Sequence, residues 1–248
     1  MSPLRRLMSG LSVAGCVALT LAGCSSVSQF LTGKSYVKRD FPSSKIRTIA
    51  VAPFLNLSPE ENVDTLALAD IFFREFQSFR DVILVPPIRV QAEIVSGDYA
   101  IPEDGRKLAD HLGVDAVVFG VITSYEPYST QQVGIAVLMY TARDFGLPSY
   151  GPEAIMIMSQ SGRPVTLSGE AEPTVIVSAR MFDSSDRATV ARIKEFARGF
   201  SEEETPLGYK TFVTSPNRFM QFVSHEMVLE LAATVEERFK TASGQEER

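Results

Sequence analysis

The sequence has few of the residues that build metal centres and covalent active sites. Its 248 residues include only two cysteines and two histidines. Both cysteines, Cys16 and Cys24, lie near the amino terminus, so the rest of the chain has neither a free thiol nor a disulfide. This distribution excludes a thiolate nucleophile and a cysteine-rich metal site from the body of the chain.

The histidines do not form a zinc-binding pattern, and other catalytic motifs are also missing. His225 precedes Glu226, but the second histidine of the zinc-protease motif is absent. His111 lies near the end of a predicted helix, where an imidazole can bond to the last carbonyl groups. We interpret His111 and His225 as surface or capping residues. The acidic cluster SEEETP (residues 201–206) lacks the spacing of a calcium loop and is interpreted as a solvated loop. With no nucleophile elbow and no phosphate-binding loop, we expect no catalytic residue, no metal and no cofactor, and predict that the protein is not an enzyme.

Basic residues are scarcer than acidic ones. The chain has 24 Lys and Arg against 30 Asp and Glu, which gives a net charge of −6. Two of the arginines, Arg5 and Arg6, lie in the first few residues, so the remainder is more acidic still. We therefore expect no nucleic-acid partner, and no anionic membrane face as the main partner.

The amino-terminal segment has the organisation of a secretory signal peptide. Arg5 and Arg6 supply the positive charge, and residues 7–21 are mostly apolar and uncharged. That run is too short to cross a bilayer about 30 Å thick, which takes about 20 residues. Small residues then lead to Cys24. A plain signal peptide that contains a cysteine, or a short buried helix, are the alternatives.

The four residues LAGC (21–24) resemble the bacterial lipobox at every position. The resemblance implies a diacylglycerol group on the Cys24 thiol, cleavage before Cys24 and acylation of its amino group. VAGC (residues 13–16) fits less well because its apolar run is only about eight residues long. Several acyl chains anchor a protein durably, whereas one does so only marginally. In bacterial lipoproteins a serine after the cysteine, here Ser25, favours the outer membrane over the inner one, so the resemblance implies a membrane-anchored lipoprotein that faces the periplasm.

The segment after Cys24 is predicted to be a lipidated flexible tether, because serine, glycine and charged residues dominate residues 25–44. As a flexible coil of about 20 residues it would hold the domain about 25 Å from the membrane. The alternative is that its apolar residues pack on the domain; these are Phe30, Leu31, Tyr36 and Val37. The predicted organisation is a signal peptide (1–23), the tether (24–44), a single α/β periplasmic domain (45–241) and a disordered tail (242–248).

The body of the chain alternates predicted strands and helices, which indicates an α/β fold. Strands are predicted at residues 45–54, 81–87, 114–125, 133–142, 154–161 and 170–185. Helices are predicted at residues 63–78, 88–97, 102–112, 186–200 and 215–239. Asn62 or Ser58 is expected to cap the first helix. The run 114–125 is nearly all apolar, so we expect a central strand covered on both faces, preceded by Gly113 as a left-handed helix cap.

Three segments together resemble the curli secretion lipoprotein family and the related TolB amino-terminal-like domains. They are IAVAPFLNLS (49–58), LADHLGVDAVVFGVITSYEPY (108–128) and VIVSARMFD (175–183). The resemblance covers about residues 45–185. It implies a mixed β-sheet flanked by helices, of the TolB amino-terminal-like or anticodon-binding-like type, facing the periplasm. Relatives of this kind include lipoproteins that activate cell-wall synthases.

The curli family also contains a channel former that inserts two β-hairpins per subunit into the outer membrane. The first hairpin would fall within residues 127–173, but GIAVLMY (134–140) is apolar on both faces, whereas such strands alternate. The second would follow Asp183, where the sequence predicts a helix. A subunit of a curli-type outer-membrane secretion channel is therefore the alternative, not the leading, interpretation.

Two tyrosines are the candidate binding residues. Tyr125 and Tyr128 lie at the end of the predicted central strand, and tyrosine is enriched in protein interfaces. The alternative is that both rings cover the sheet edge. We expect a non-catalytic binding domain that organises or regulates another envelope protein. The expected partners are the membrane, through the acyl chains on Cys24, and this other envelope protein. The sequence leaves open whether the chain also forms a homo-oligomer.

Overall fold

The structure is a computed structural model that describes residues 38–101, 104–128, 130–145, 156–158, 164–166, 175–200 and 207–246. Its strands are β1 (Thr48–Val51), β2 (Leu55–Asn56), β3 (Ile83–Val85), β4 (Ala116–Glu126), β5 (Gln132–Thr141), β6 (Met156–Met158), β7 (Pro164–Thr166) and β8 (Val175–Asp183). Its helices are α1 (Thr65–Phe76), α2 (Pro87–Gly97), α3 (Gly105–Leu112), α4 (Arg187–Ala197), α5 (Lys210–Thr214) and α6 (Pro216–Glu246).

Six strands form one mixed sheet. Its order is β3-β1-β4-β5-β8, and the short β2 continues the line of β1 against β4. The pairs made by β1, β2, β3 and β4 are parallel, whereas β4–β5 and β5–β8 are antiparallel. Strands β6 and β7 pair only with each other among the described strands. With helices on both faces, this arrangement confirms the predicted α/β fold with a mixed sheet.

A hydrophobic core lies on each face of the sheet. The larger core contains aromatic side chains from α1, α4, α5 and α6, among them Phe72, Phe196 and Phe222. The smaller core joins α2 and α3 to the opposite face, with Val90 and Leu108 at its centre. Because both faces are covered, the inner strands need apolar side chains on both sides.

The central strand β4 agrees with the prediction. Nine consecutive residues from its start, 116–124, are buried, and the strand lies between β1 and β5. Gly113 ends α3 with a φ of 65°, a left-handed conformation that glycine adopts without strain. The predicted helix cap is therefore confirmed.

The described parts of the two segments in which membrane-inserting hairpins were considered form sheet and helix, whereas residues 146–155, 159–163 and 167–174 lie outside the described residues. Strand β5 pairs with β4 on one side and β8 on the other, and its residues 133–141 are all buried. After Asp183 the chain makes a short turn and enters α4, where Asp186 caps the helix by accepting a 2.9 Å hydrogen bond from the Thr189 N–H. Both observations agree with sheet and helix as predicted.

The structure differs from the sequence-based expectations at both ends of the domain. Residues 39–44, assigned to the tether, are part of the fold: Phe41 is 4% exposed and packs edge-on against Phe79. The tether assignment was wrong there because one apolar ring among polar residues leaves no periodicity. At the other end, α6 continues to Glu246, past the boundary drawn at residue 241.

The cap of the first helix was also assigned wrongly. Asp64, not Asn62 or Ser58, caps α1, and its Oδ1 accepts a 2.9 Å hydrogen bond from the Ala67 N–H. Ser58 and Asn56 bond to each other in the preceding loop instead. Several good capping residues stand close together here, so local sequence alone does not select among them.

Candidate functional site

The two predicted binding residues lie at the carboxyl end of β4 but differ in their surroundings. Tyr125 is half-buried and packs against the larger core, whereas Tyr128 is 82% exposed. Burial raises the pKa of the Tyr125 phenol above its ordinary value, and the nearby Tyr128 and Glu60 add to this shift. Tyr125 therefore covers the sheet, as the alternative interpretation held, and only Tyr128 is displayed to solvent. The lipidation residue, Cys24, lies outside the described residues.

Beside Tyr128 lies an open cleft of about 340 Å³, here called the tyrosine cleft. It forms where the ends of β4 and β8 and the start of β5 meet the junction of α5 and α6. Its lining consists of Pro127, Tyr128, Thr130, Gln131, Ser184, Ser185, Val213 and Thr214. One exposed aromatic ring therefore adjoins a group of hydroxyl and amide side chains.

Gln131 is held rigidly in this cleft by the chain that follows β8. Its N–H donates to the Ser184 hydroxyl at 2.9 Å, and the Ser184 N–H donates to the Gln131 carbonyl at the same distance. Next to it, the Gln132 amide donates to the Asp183 carboxylate at 2.9 Å. These bonds extend the β5–β8 pairing beyond the last ladder residues and fix the lining of the cleft.

The side chain of Gln131 carries an unsatisfied hydrogen-bond acceptor. The residue is 4% exposed, yet its Oε1 atom has no hydrogen-bond partner in the structure. A buried polar atom without a partner costs about 1–3 kcal/mol, so such atoms are uncommon. The Oε1 atom is itself buried, so a partner in the tyrosine cleft does not reach it in this structure. The sequence analysis missed Gln131, although it belongs to the same stretch as the two tyrosines.

A second cleft, of about 440 Å³, lies between α1 and α6. Glu75, on its wall, is 1% exposed, and the Nδ1 atom of His225 lies 2.9 Å from the Glu75 carboxylate. The His225 ring also packs against Phe196, with centroids 4.8 Å apart. His225 is thus a packing residue between helices, and its assignment to the surface or a cap was wrong. His111, in contrast, is exposed and lies 3.1 Å from Glu93.

The crevice that usually binds ligands in open parallel sheets is filled by the chain itself. Such a crevice lies at the carboxyl ends of neighbouring parallel strands, here β1 and β4. The chain after β1 continues along β4, so that Phe54 packs on Gly120 and β2 then pairs with β4. A Cβ atom at position 120 would collide with the Phe54 ring. The tyrosine cleft lies farther along β4, beyond this closed crevice.

Two further searches cover only the part of the chain that the structure describes. No group of three or more His, Cys, Asp or Glu side chains in it is arranged to hold a metal ion. Among the same residues, no helix has the length and apolar character needed to cross a membrane.

Comparison with known proteins gives likeness to solved structures only. No protein-family model and no curated protein matches the chain. The lipoprotein GNA1162 from Neisseria meningitidis matches with 15% identity and a TM-score of 0.37, over 61% of this chain and 99% of that one. The LpoB C-terminal domain from Salmonella enterica matches with 11% identity and a TM-score of 0.31, over 62% and 91%. The PelC dodecamer from Paraburkholderia phytofirmans matches with 10% identity and a TM-score of 0.30, over 60% and 82%. With every one of these TM-scores below 0.5, the likeness carries no argument about function.

Proposed function

We propose that the protein is a lipid-anchored, non-catalytic domain of the bacterial envelope that binds another envelope protein through the tyrosine cleft. The lipobox-like LAGC, with Cys24 as the acylated residue, supports the anchor. The observation that carries the binding role is the 82% exposed ring of Tyr128 at the edge of an open cleft lined by hydroxyl and amide side chains. Binding to a component of the same envelope, on its periplasmic side, organises or regulates that component.

The chemistry of the cleft suits a protein segment. A tyrosine ring contributes a large contact area at a small cost in conformational entropy, and tyrosine is enriched among residues that dominate binding energies. The hydroxyl groups of Thr130, Ser185 and Thr214 on the cleft lining can donate and accept hydrogen bonds, which both backbone and side chains of a partner supply. An open, shallow shape with hydroxyl groups at its rim matches the polar periphery of protein interfaces.

The half-buried Tyr125 has a supporting role in this proposal. Its ring packs on the larger core near Phe219 and Met220 and leaves only a small void beneath residues 125–131. It therefore positions the chain segment that presents Tyr128, without contacting the partner. The resemblance to curli-type and TolB-like lipoproteins is consistent with a periplasmic binding domain and stays a prediction.

The binding role is tested by site-specific crosslinking of the full-length lipoprotein in its own membranes. A photo-crosslinking residue at position 128 is expected to yield one predominant protein adduct, which mass spectrometry identifies. The same residue at position 88 serves as the control, because Ile88 is 61% exposed but lies on α2, away from the cleft. Adducts at position 128 to lipid alone, or the same adducts at both positions, would contradict the proposal.

The affinity of the identified partner then separates binding from folding. Tyr128→Ala is expected to weaken binding about tenfold or more, which corresponds to about 1.4 kcal/mol. Ile88→Ala should leave affinity unchanged. Thr214→Val removes an exposed hydroxyl from the cleft lining while keeping a side chain of similar size, and it should weaken binding by a smaller factor without loss of thermal stability. Undiminished binding by both cleft variants would rule out the cleft as the binding surface.

The anchor is tested separately by the intact mass of the protein extracted from native membranes. A mass equal to residues 24–248 plus acyl chains is expected. Cys24→Ser should abolish acylation and release the protein from the membrane fraction. A mass without acyl groups would contradict the lipid anchor. The binding role of the tyrosine cleft would then still be tested by the crosslinking experiment.

A further inference from the structure

Helix α2 is apolar on two sides. Val90 and Ile94 face inward and pack in the smaller core. Ile88, Ala92 and Val95 are exposed and follow one another at spacings of four and three residues, which places them on one outer stripe. Ile88 is 61% exposed and Val95 is 77% exposed. An ordinary surface helix shows polar residues at such positions.

The edge strand β3 adds to this stripe. Ile83 is 68% exposed, and because side chains alternate it lies on the same sheet face as Val85, which packs against the smaller core. Three of the seven exposed large hydrophobic side chains among the described residues therefore lie between residues 83 and 95. We call Ile83, Ile88, Ala92 and Val95 the α2 face.

The route toward Cys24 leaves the domain next to the start of β3, where Ile83 lies. The Arg39 N–H donates to the Ser78 carbonyl at 3.0 Å, and the Arg80 N–H donates to the Arg39 carbonyl at 3.0 Å. Residue 80 stands just before β3, which begins at Ile83. Thirteen residues separate Cys24 from Lys38. Whatever their conformation, they span at most about 45 Å, so an acylated Cys24 holds the bilayer within that distance of Lys38.

Exposed positive charge surrounds the same exit. Lys38, Arg39, Lys45 and Arg47 are all exposed, whereas the acidic Asp40 is already paired with Arg80 at 2.6 Å. This local balance is opposite in sign to the net charge of −6 of the whole chain. Basic side chains next to an anionic leaflet strengthen attachment, and apolar side chains beside them enter the lipid interface.

We infer that the α2 face rests on the bilayer that carries the acyl chains of Cys24, and so fixes the orientation of the domain. This inference rests on the lipid anchor of the proposed function. Ile83 begins β3 and Tyr128 follows the end of β4, and both strands run parallel to β1. Contact at the α2 face and the adjoining exit therefore directs the opposite end of the strands, with the tyrosine cleft, away from the membrane.

The absence of tryptophan from the chain permits a direct test. Val95→Trp and Ile88→Trp are each introduced singly into the full-length lipoprotein. The matched controls are Tyr128→Trp in the tyrosine cleft and Met181→Trp on the opposite edge strand, where Met181 is 50% exposed. Each variant is reconstituted into vesicles of phosphatidylethanolamine and phosphatidylglycerol whose acyl chains are brominated.

The inference predicts that bromolipid quenches the emission of Val95→Trp and Ile88→Trp at least about twofold more than that of either control, with a shift to shorter wavelength. Adding Val95→Asp to Ile88→Trp should abolish its quenching while the protein still floats with the vesicles. Equal quenching at all four positions would overturn the inference. Emission that is blue-shifted but unquenched would mean that a protein, including a second copy of the chain, covers the face, and would overturn it too.

Vesicle flotation distinguishes this failure from failure of the anchor. A protein that floats but shows no quenching at positions 88 and 95 keeps its lipid anchor and loses only the orientation. A protein that does not float, and whose mass shows no acyl groups, has no anchor, and then both the membrane attachment and the orientation are overturned.

Discussion

The Thr48 hydroxyl donates a 2.9 Å hydrogen bond to the Asp115 carboxylate and accepts a 2.8 Å bond from the Asp115 N–H. The same carboxylate oxygen also accepts from the N–H groups of Arg47 and Thr48, at 2.9 and 3.0 Å. Asp115 thus joins the starts of the parallel strands β1 and β4. The Gly-Val-Asp-Ala segment (113–116), which belongs to the run 108–128 that resembles the curli and TolB-like families, therefore has a direct structural role.

Removal of this carboxylate should destabilise the domain. Asp115→Ala leaves two N–H groups and one hydroxyl without their acceptor, and we expect the free energy of unfolding to fall by about 1–3 kcal/mol. Thr48→Val should cost less, because the backbone donors keep their acceptor. Urea denaturation of both single variants and the double variant measures the coupling. Strictly additive effects would show that the two side chains act independently.

Stability should depend on pH through the same residue. Burial opposes ionisation of Asp115, but the N–H of Arg47 and the hydroxyl and N–H of Thr48 outweigh it and hold the pKa of this carboxyl below its usual value. The unfolded chain therefore binds the proton first as the pH falls. The stabilisation is complete above the unfolded pKa of about 3.9 and is lost as the pH falls through the lower folded pKa. The stability difference between the wild type and Asp115→Asn should shrink correspondingly below about pH 4; a difference that grows on acidification would contradict this assignment.

Gly120 should tolerate no side chain while Phe54 is present. We expect Gly120→Ala to cost about 1–3 kcal/mol because the added methyl group overlaps the Phe54 ring. Combined with Phe54→Leu, the same substitution should cost less than it does alone. Gly113→Ala is the matched control, since open space surrounds that position and its cost, of about 1 kcal/mol, comes from the positive φ. Phe54→Leu should not relieve it, and thermal denaturation checks both pairs.

The folded domain should require residues before 45. A chain that begins at Lys38 retains Phe41 and the bonds of residue 39, whereas one that begins at Lys45 loses them. Phe41→Ala in the longer chain is expected to cost about 3 kcal/mol, because the ring is almost completely buried. The shorter chain should lose at least as much in denaturation by urea. Equal stability of the two chains would place the boundary at residue 45 after all.

The contact between Glu75 and His225 should also stabilise the fold. His225→Ala removes a hydrogen bond from a carboxylate that is 1% exposed, together with a ring that packs on Phe196. We expect a loss of about 2–3 kcal/mol. His111→Ala is the control, because His111 is exposed and its ion pair with Glu93 contributes about 0–1 kcal/mol. Similar losses for the two variants in urea denaturation would contradict the packing role of His225.

The sequence predicted those parts of the fold whose signal lies within a few neighbouring residues. The apolar run of β4 and the Gly113 cap carry their signals within a few residues, and both are confirmed. Phe41 and His225 could not be assigned in this way, because their partners, Phe79 and Glu75, are 38 and 150 residues away in the sequence. Burial of such residues follows from tertiary packing, which the periodicity of apolar residues along the sequence does not report.

The candidate site was predicted only in part for the same reason. The two tyrosines of residues 123–134 made this segment the predicted binding segment. Of the two, Tyr128 is exposed to solvent, which a binding residue requires. The unsatisfied oxygen of Gln131 depends on how the end of β8 lies against the start of β5. No pattern within residues 123–134 reports that arrangement, so this acceptor emerges only from the three-dimensional structure.

The attachment of residue 39 to the turn before β3 has a mechanical consequence. Any pull applied from the amino-terminal side of Lys38 reaches the domain through the two hydrogen bonds of Arg39 and then through the buried ring of Phe41. This load enters beside the outermost strand, at the far edge of the sheet from β8. Under tension we expect this junction to yield first, which shortens the folded part by a few residues at its start while the strands that position the tyrosine cleft keep their pairing.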